Sequence, residues 1–150
     1  MLIDKQNQFS ADAGDTPTST GSLVSTNIID LGVARDIGGA VTDQLMLLCE
    51  VVTAFTSGGS ATLQVQFQTA PDNGSGAPGS WSTLAQSDAV ALASLVQGYK
   101  FLPGELPGPT QRFLRLNYVV GTAAMTGGVL KAALVPSLDV QPVYARGYAA

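Results

Sequence analysis

The stretch Thr62-Leu63-Gln64-Val65-Gln66-Phe67-Gln68-Thr69 alternates apolar and amide side chains without a break. A period of two puts Leu63, Val65 and Phe67 on one face of an extended strand and Gln64, Gln66 and Gln68 on the other. A helix would scatter both sets around its axis, so this segment predicts a half-buried β-strand. Working outward, Arg112-Phe113-Leu114-Arg115-Leu116-Asn117-Tyr118-Val119-Val120 has the same period. Leu114, Leu116, Tyr118 and Val120 share one face, and Arg115 and Asn117 lie opposite. Gly128 to Val135 repeats the pattern, with Leu130, Ala132 and Leu134 inward and Lys131 outward. Leu45 to Phe55 is apolar on both faces at first, as expected of a strand buried centrally in a sandwich. Weaker strands are expected over Ser22 to Leu31, Trp81 to Gln86 and Leu95 to Phe101, with one short helical turn around Asp88 to Leu95.

Turn chemistry separates these runs: Asp36-Ile37-Gly38-Gly39, Ser57-Gly58-Gly59-Ser60, Pro71-Asp72-Asn73-Gly74 and Pro103-Gly104-Glu105-Leu106-Pro107-Gly108-Pro109. Seven or eight short strands spaced in this way, with no long helical period and no internal repeat, predict an all-β fold: a single-domain β-sandwich, jelly-roll-like. The expected organisation is an N-terminal arm and flexible connection over 1–21, the sandwich over 22–135, and a C-terminal tail over 136–150. Leu2, Ile3 and Phe9 form a small apolar arm ahead of a Ser, Thr, Asp and Gly-rich stretch from Ser10 to Ser22 that buries little surface. The tail carries Tyr144, Arg146 and Tyr148 as anchors; it either folds back over its own sandwich or docks on a neighbouring subunit.

At 150 residues one sizeable core is affordable. Of these residues 45% are hydrophobic and only 12% charged, against an average of about 25% charged for soluble domains. So sparse a charge suits a surface partly covered by partners, or an exterior of Ser, Thr, Gln and Gly. Seven basic against eleven acidic side chains give a net charge of −4, and the basic ones are scattered singly, which argues against direct nucleic-acid binding. The longest apolar-leaning stretch, Leu116 to Leu130, is short for a membrane span and carries Asn117, Gly121, Gly127 and Gly128, so no membrane helix is expected. The opening residues place charge and amides where a secretion signal would be apolar, so the protein is expected to be made in the cytoplasm. A lone cysteine, Cys49, sits in an apolar run and is expected to be a buried thiol.

Histidine is absent. That removes the usual general base, the Ser-His and Cys-His nucleophilic pairs and the commonest metal ligand. Glu50, Glu105 and nine scattered aspartates offer no spacing that singles out a carboxylate pair, so an enzyme is not expected. Gly74-Ser75-Gly76-Ala77-Pro78-Gly79 fits the dinucleotide fingerprint letter for letter, but Pro71, Pro78 and the glycines forbid the helix that fingerprint must open; a hairpin loop is expected. Asn73-Gly74-Ser75 matches a glycosylation acceptor without a secretory context. Asp12, Asp15 and Asp72 lack the spacing of a calcium loop. No cofactor or metal is expected. Trp81, beside the Gly/Ser-rich loop, reads either as a core residue or as a platform for a sugar ring.

Four segments together, Met1-Leu2-Ile3-Asp4-Lys5-Gln6-Asn7-Gln8-Phe9-Ser10, Ile29-Asp30-Leu31-Gly32 with Ala34-Arg35-Asp36-Ile37-Gly38, Arg112 to Tyr118, and Tyr144-Ala145-Arg146-Gly147-Tyr148, resemble the capsid cement (decoration) protein family of short-tailed bacteriophages. The resemblance spans nearly the whole chain and is weak from Ser57 to Ser80. It implies a jelly-roll-like subunit that forms a small homo-oligomer, dimer or trimer, on the outer capsid surface of the virion. The major capsid protein is the implied partner. On this reading Leu2, Ile3, Phe9, Tyr144, Arg146 and Tyr148 are the expected capsid or inter-subunit contacts, since aromatic and arginine side chains dominate interface energies. The alternative from another class is a module that binds host carbohydrate on the same virion.

Overall fold

A computed structural model describes residues 4–34, 45–102, 106 and 109–136. Eight strands lie among them: β1 Gly21–Val24, β2 Ile29–Asp30, β3 Leu45–Ser57, β4 Thr62–Ala70, β5 Ser82–Gln86, β6 Val90–Ala91, β7 Phe113–Gly121 and β8 Met125–Pro136. They form an all-β sandwich. One sheet runs β1-β7-β4-β5, with β2 continuing β1 along β7 and β6 continuing β5 along β4; β3 and β8 form a two-stranded ribbon. Every pairing is antiparallel.

The alternation decides which faces meet. Leu63, Val65 and Phe67 of β4 and Leu114, Leu116, Tyr118 and Val120 of β7 project into one core, where they meet Cys49 and Val51 of β3 and Leu130, Ala132 and Leu134 of β8. On the opposite side of the ribbon, Leu48, Ala133 and Val135 form a small second apolar cluster. Two short connections carry the chain between the layers, 58–61 from β3 to β4 and 122–124 from β7 to β8, and the end of β3 is tied to the second: the Ser57 hydroxyl donates to Ala124 O at 2.7 Å.

Several segments depart from the sequence expectations. Ser22 to Leu31 is two strands, because buried Ser25 takes over the ladder: its N–H donates to Leu116 O at 2.8 Å and its hydroxyl accepts from Leu116 N–H at 3.0 Å. Leu95 to Phe101 is not a regular strand. Gly98 turns there at φ +87, yet the segment still covers the free edge of β3 through bonds from Phe55 N–H to Leu95 O, Val51 N–H to Tyr99 O and Phe101 N–H to Cys49 O. β3 therefore lies between β8 and this irregular edge, and its pairing slips by bulges beyond Val51. The helical turn near Asp88 to Leu95 is a single 3₁₀ turn, Leu92–Ser94.

The connection from Ser10 to Ser22, expected to be flexible, is strapped along β8. Phe9 N–H donates to Ala132 O, and Asp15 and Leu130 exchange backbone hydrogen bonds at 2.8 and 2.9 Å. Polar composition hid this: the segment's own side chains bury little, and its backbone supplies the edge partner that β8 needs.

Candidate interaction surface

Of the contact residues read from the sequence, Leu2, Ile3, Tyr144, Arg146 and Tyr148 lie outside the described residues. Phe9 corrects the expectation placed on it. Its side chain is 0% exposed and meets Phe67 edge-on at 6.2 Å between ring centres, so it belongs to the chain's own core and is not offered to a partner. Strapping to β8 turns the side chain inward, and burial of a phenyl ring holds it there.

Six positions on, the Asp15 carboxylate is also buried, at 7% exposure. It accepts from Ala11 N–H, Thr26 N–H, the Thr26 hydroxyl and, at 2.9 Å, the Tyr118 hydroxyl. One carboxylate so joins the N-terminal strap, the β1–β2 connection and the centre of β7. Burial, with charged neighbours adding to it, raises the Tyr118 hydroxyl well above its ordinary pKa, so it stays a donor. These groups satisfy one another and hold the fold together.

The outward face of the large sheet differs in kind. Ser22, Val24, Gln64, Gln66, Gln68, Gln86, Thr83, Arg115, Asn117 and Val119 project from it, in rows fixed by the pairings Gln64↔Val119, Gln66↔Asn117 and Gln68↔Arg115. Gln66 is the hub: its Oε1 accepts from Asn117 at 2.8 Å and from Gln68 at 3.3 Å, and its Nε2 donates to Gln86 at 3.2 Å. Gln68 in turn accepts from Arg115 Nε at 2.9 Å, and the Arg115 guanidinium lies 4.1 Å over the Trp81 ring. Gln66, Gln68, Gln86 and Asn117 are thus held in one network, with a Trp–Arg stack at its end, while Gln64 donates to Ser87 O. None of these side chains is a carboxylate, but at the β2 end of the same face Asp30, opposite Phe113 in the register, projects outward as well.

At the margin, Arg112 binds Asp30 at 2.8 Å and also pairs with Asp72. The hydrogen bond from Arg112 holds the Asp30 carboxyl down at about 2. Asp72 in addition accepts from Gly74 and Gly76 N–H at 2.8 and 2.9 Å, closing the Gly74 to Gly79 segment as the expected hairpin loop. The positive φ of Gly74 and Gly76 makes that closure available to glycine at little strain.

A family model described as Bbp16 matches residues 13–134. The chain belongs to the Bbp16 family. No curated protein matches it. The stretch matched to the Bbp16 family contains Asp15, the strands β1 to β7 and the whole amide face. The positions 2, 3 and 9 and 144, 146 and 148 fall outside it.

Cys49 is 1% exposed, and burial pushes its thiol far above the ordinary range. In the folded protein at pH 8, labelling by a disulfide reagent is expected to run at least about 100-fold slower than after unfolding in guanidinium. Rapid stoichiometric labelling of the native chain would show the thiol to be accessible.

The alternation that builds the amide face is legible in the sequence. The Arg115–Trp81 stack has a signal only in retrospect, because Trp81 precedes β5 and meets Arg115 through sheet pairing rather than through sequence proximity.

Proposed function

We propose that this member of the Bbp16 family is a capsid decoration protein: it binds the outer surface of the assembled major capsid protein shell of a bacteriophage and stabilises that shell against the pressure of packaged DNA. The observation that carries the reading is the outward sheet face, a broad amide-rich surface on which many side chains are held by hydrogen bonds and the carboxylate of Asp30 is paired with Arg112. Such a face meets protein with little loss of side-chain freedom. The resemblance of the sequence to capsid cement proteins points the same way. The role is mechanical and involves no catalysis, cofactor or direct contact with nucleic acid.

Binding that prefers the expanded, assembled lattice stabilises that state by mass action. At a free concentration one hundred times Kd the gain is about 2.7 kcal/mol per site, and it repeats around the shell. Leu2, Ile3, Tyr144, Arg146 and Tyr148 are the proposed capsid contacts; Phe9 is withdrawn from that set by its burial.

Cryo-electron microscopy of empty expanded shells incubated with the purified protein tests the proposal. Regular density on the outer surface is expected, and a bare shell at saturating protein would overturn it. Deleting residues 137–150 is expected to weaken shell binding. The rival reading, a carbohydrate-binding module, would use Trp81 as a platform. Arg115 occupies one face of that ring, which disfavours sugar stacking there. No binding on a glycan array is expected.

A further inference from the structure

We infer that Asn73, in the loop between β4 and β5, is a self-modifying site: the folded loop drives attack of the Gly74 backbone nitrogen on the Asn73 side-chain amide, converting it through a succinimide to aspartate and isoaspartate. The inference is independent of capsid binding, and water is the one co-reactant.

The sequence supplies the nucleophile. Of the asparagines Asn7, Asn27, Asn73 and Asn117, only Asn73 precedes a glycine; Gln8, Ile28 and Tyr118 follow the others. Ring closure brings the nitrogen of the next residue onto Cγ, and a side chain on that residue obstructs the approach. Gly74 has none, and its φ of +92 is one that glycine adopts freely. Asn73, Gly74 and Ser75 are all exposed, so water reaches the site.

The fold adds groups on both sides of the reacting atoms. Asn73 Oδ1 accepts from the Ser75 N–H at 2.9 Å, the Ser75 hydroxyl at 2.7 Å and the Ala77 N–H at 3.4 Å. Attack on Cγ places negative charge on that oxygen, and donors already aimed at it stabilise the charge as an oxyanion hole does. On the nucleophile's side, the Gly74 N–H donates to Asp72 Oδ1 at 2.8 Å. The N–H bonds from Gly74 and Gly76 hold the Asp72 carboxyl below its ordinary range, so it is ionised at neutral pH and stands where the proton must leave. Backbone bonds from Asn73 N–H to Ala77 O at 2.9 Å and from Gly79 N–H to Pro71 O at 2.8 Å keep the loop in this shape.

As the Gly74 nitrogen bonds to Asn73 Cγ, its proton passes to Asp72. The oxyanion collapses, the Cγ–Nδ2 bond breaks, and Nδ2 takes the proton from Asp72 and leaves as ammonia. Water then opens the ring. Addition at the side-chain carbonyl gives aspartate; addition at the main-chain carbonyl gives isoaspartate, whose main chain is one methylene longer. The succinimide has no Gly74 N–H, so the bond to Asp72 is lost. Each product adds a carboxylate beside Asp72, where Arg112 already pairs with Asp30 and Asp72, and moves the net charge one unit below −4.

The test is peptide mapping by mass spectrometry of the full chain incubated at neutral pH, with isoaspartate scored by enzymatic carboxyl methylation. Asn73 is expected to convert at least about tenfold faster in the folded chain than in the same chain unfolded in guanidinium, because the donors are preorganised only in the fold. Asn7, Asn27 and Asn117 should stay intact. Ser75→Ala removes the hydroxyl donor and should slow the folded rate several-fold while leaving the unfolded rate unchanged. Gly74→Ala hinders the nucleophile itself and should slow both. Thermal melts establish that the variants fold. An Asn73 that converts no faster folded than unfolded, or a folded Ser75→Ala chain that reacts at the wild-type rate, overturns the inference: the loop's hydrogen bonds then guard the amide instead of activating it.

Discussion

Phe9→Ala is expected to cost about 4 kcal/mol of stability and to lower Tm by roughly 10 °C. The ring is fully buried, so truncation removes its burial and leaves a cavity against Phe67. The loss should also be uneven. Phe9 anchors the strap whose backbone bonds cover β8, so hydrogen exchange at the Asp15 and Leu130 amides is expected to accelerate more than at the β4 and β7 amides. A change below about 1 kcal/mol would instead restore Phe9 to an arm that serves a partner.

Gly128→Ala is expected to cost about 3 kcal/mol, read as a shift in the urea midpoint. A Cβ built on Gly128 would stand 2.2 Å from Phe55 Cδ1 and 2.4 Å from Cγ, and the backbone there has φ +126. Two penalties add: Phe55 must leave its buried position, and an L residue must adopt a conformation it disfavours. Gly74→Ala separates them. Gly74 has φ +92 but nothing within 4 Å of its Cβ, so backbone strain of about 1 kcal/mol is expected there. Equal losses at the two sites would mean that Phe55 yields without cost.

What the sequence discloses and what it hides have the same physical origin. A period of two is local, and wherever a strand has one dry face it can be read directly. Leu63, Val65 and Phe67, then Leu114, Leu116, Tyr118 and Val120, then Leu130, Ala132 and Leu134, all face the core as the alternation predicts. The hidden features are partnerships between distant segments. Phe9 sits between Gln8 and Ser10 and reads as an isolated apolar residue; only β8 gives it a place. Asp15 reads as a turn aspartate, and its four donors come from residues as far away as Tyr118. Leu95 to Phe101 has strand composition, but Gly98 bends it into an irregular cover for β3. The amides of the outward face are legible in the sequence, whereas the network they form depends on the pairing that sets Gln66 beside Asn117 and Arg115 beside Gln68. The expectations for residues 2, 3, 144, 146 and 148 lie outside the described residues.

The strap along β8 fixes the order in which the subunit can be finished. Ser10 accepts from Ala132 N–H, a partner 122 positions later in the chain. At a synthesis rate of about 5–20 residues per second, the N-terminal segment therefore waits roughly ten seconds for the strand it will cover to be made. Until then Phe9 has no pocket and the edge of β8 does not exist. The sandwich cannot close piece by piece on the ribosome: its first residues are among the last to find their place, and a chain shortened before β8 would lack the partner that turns Phe9 inward.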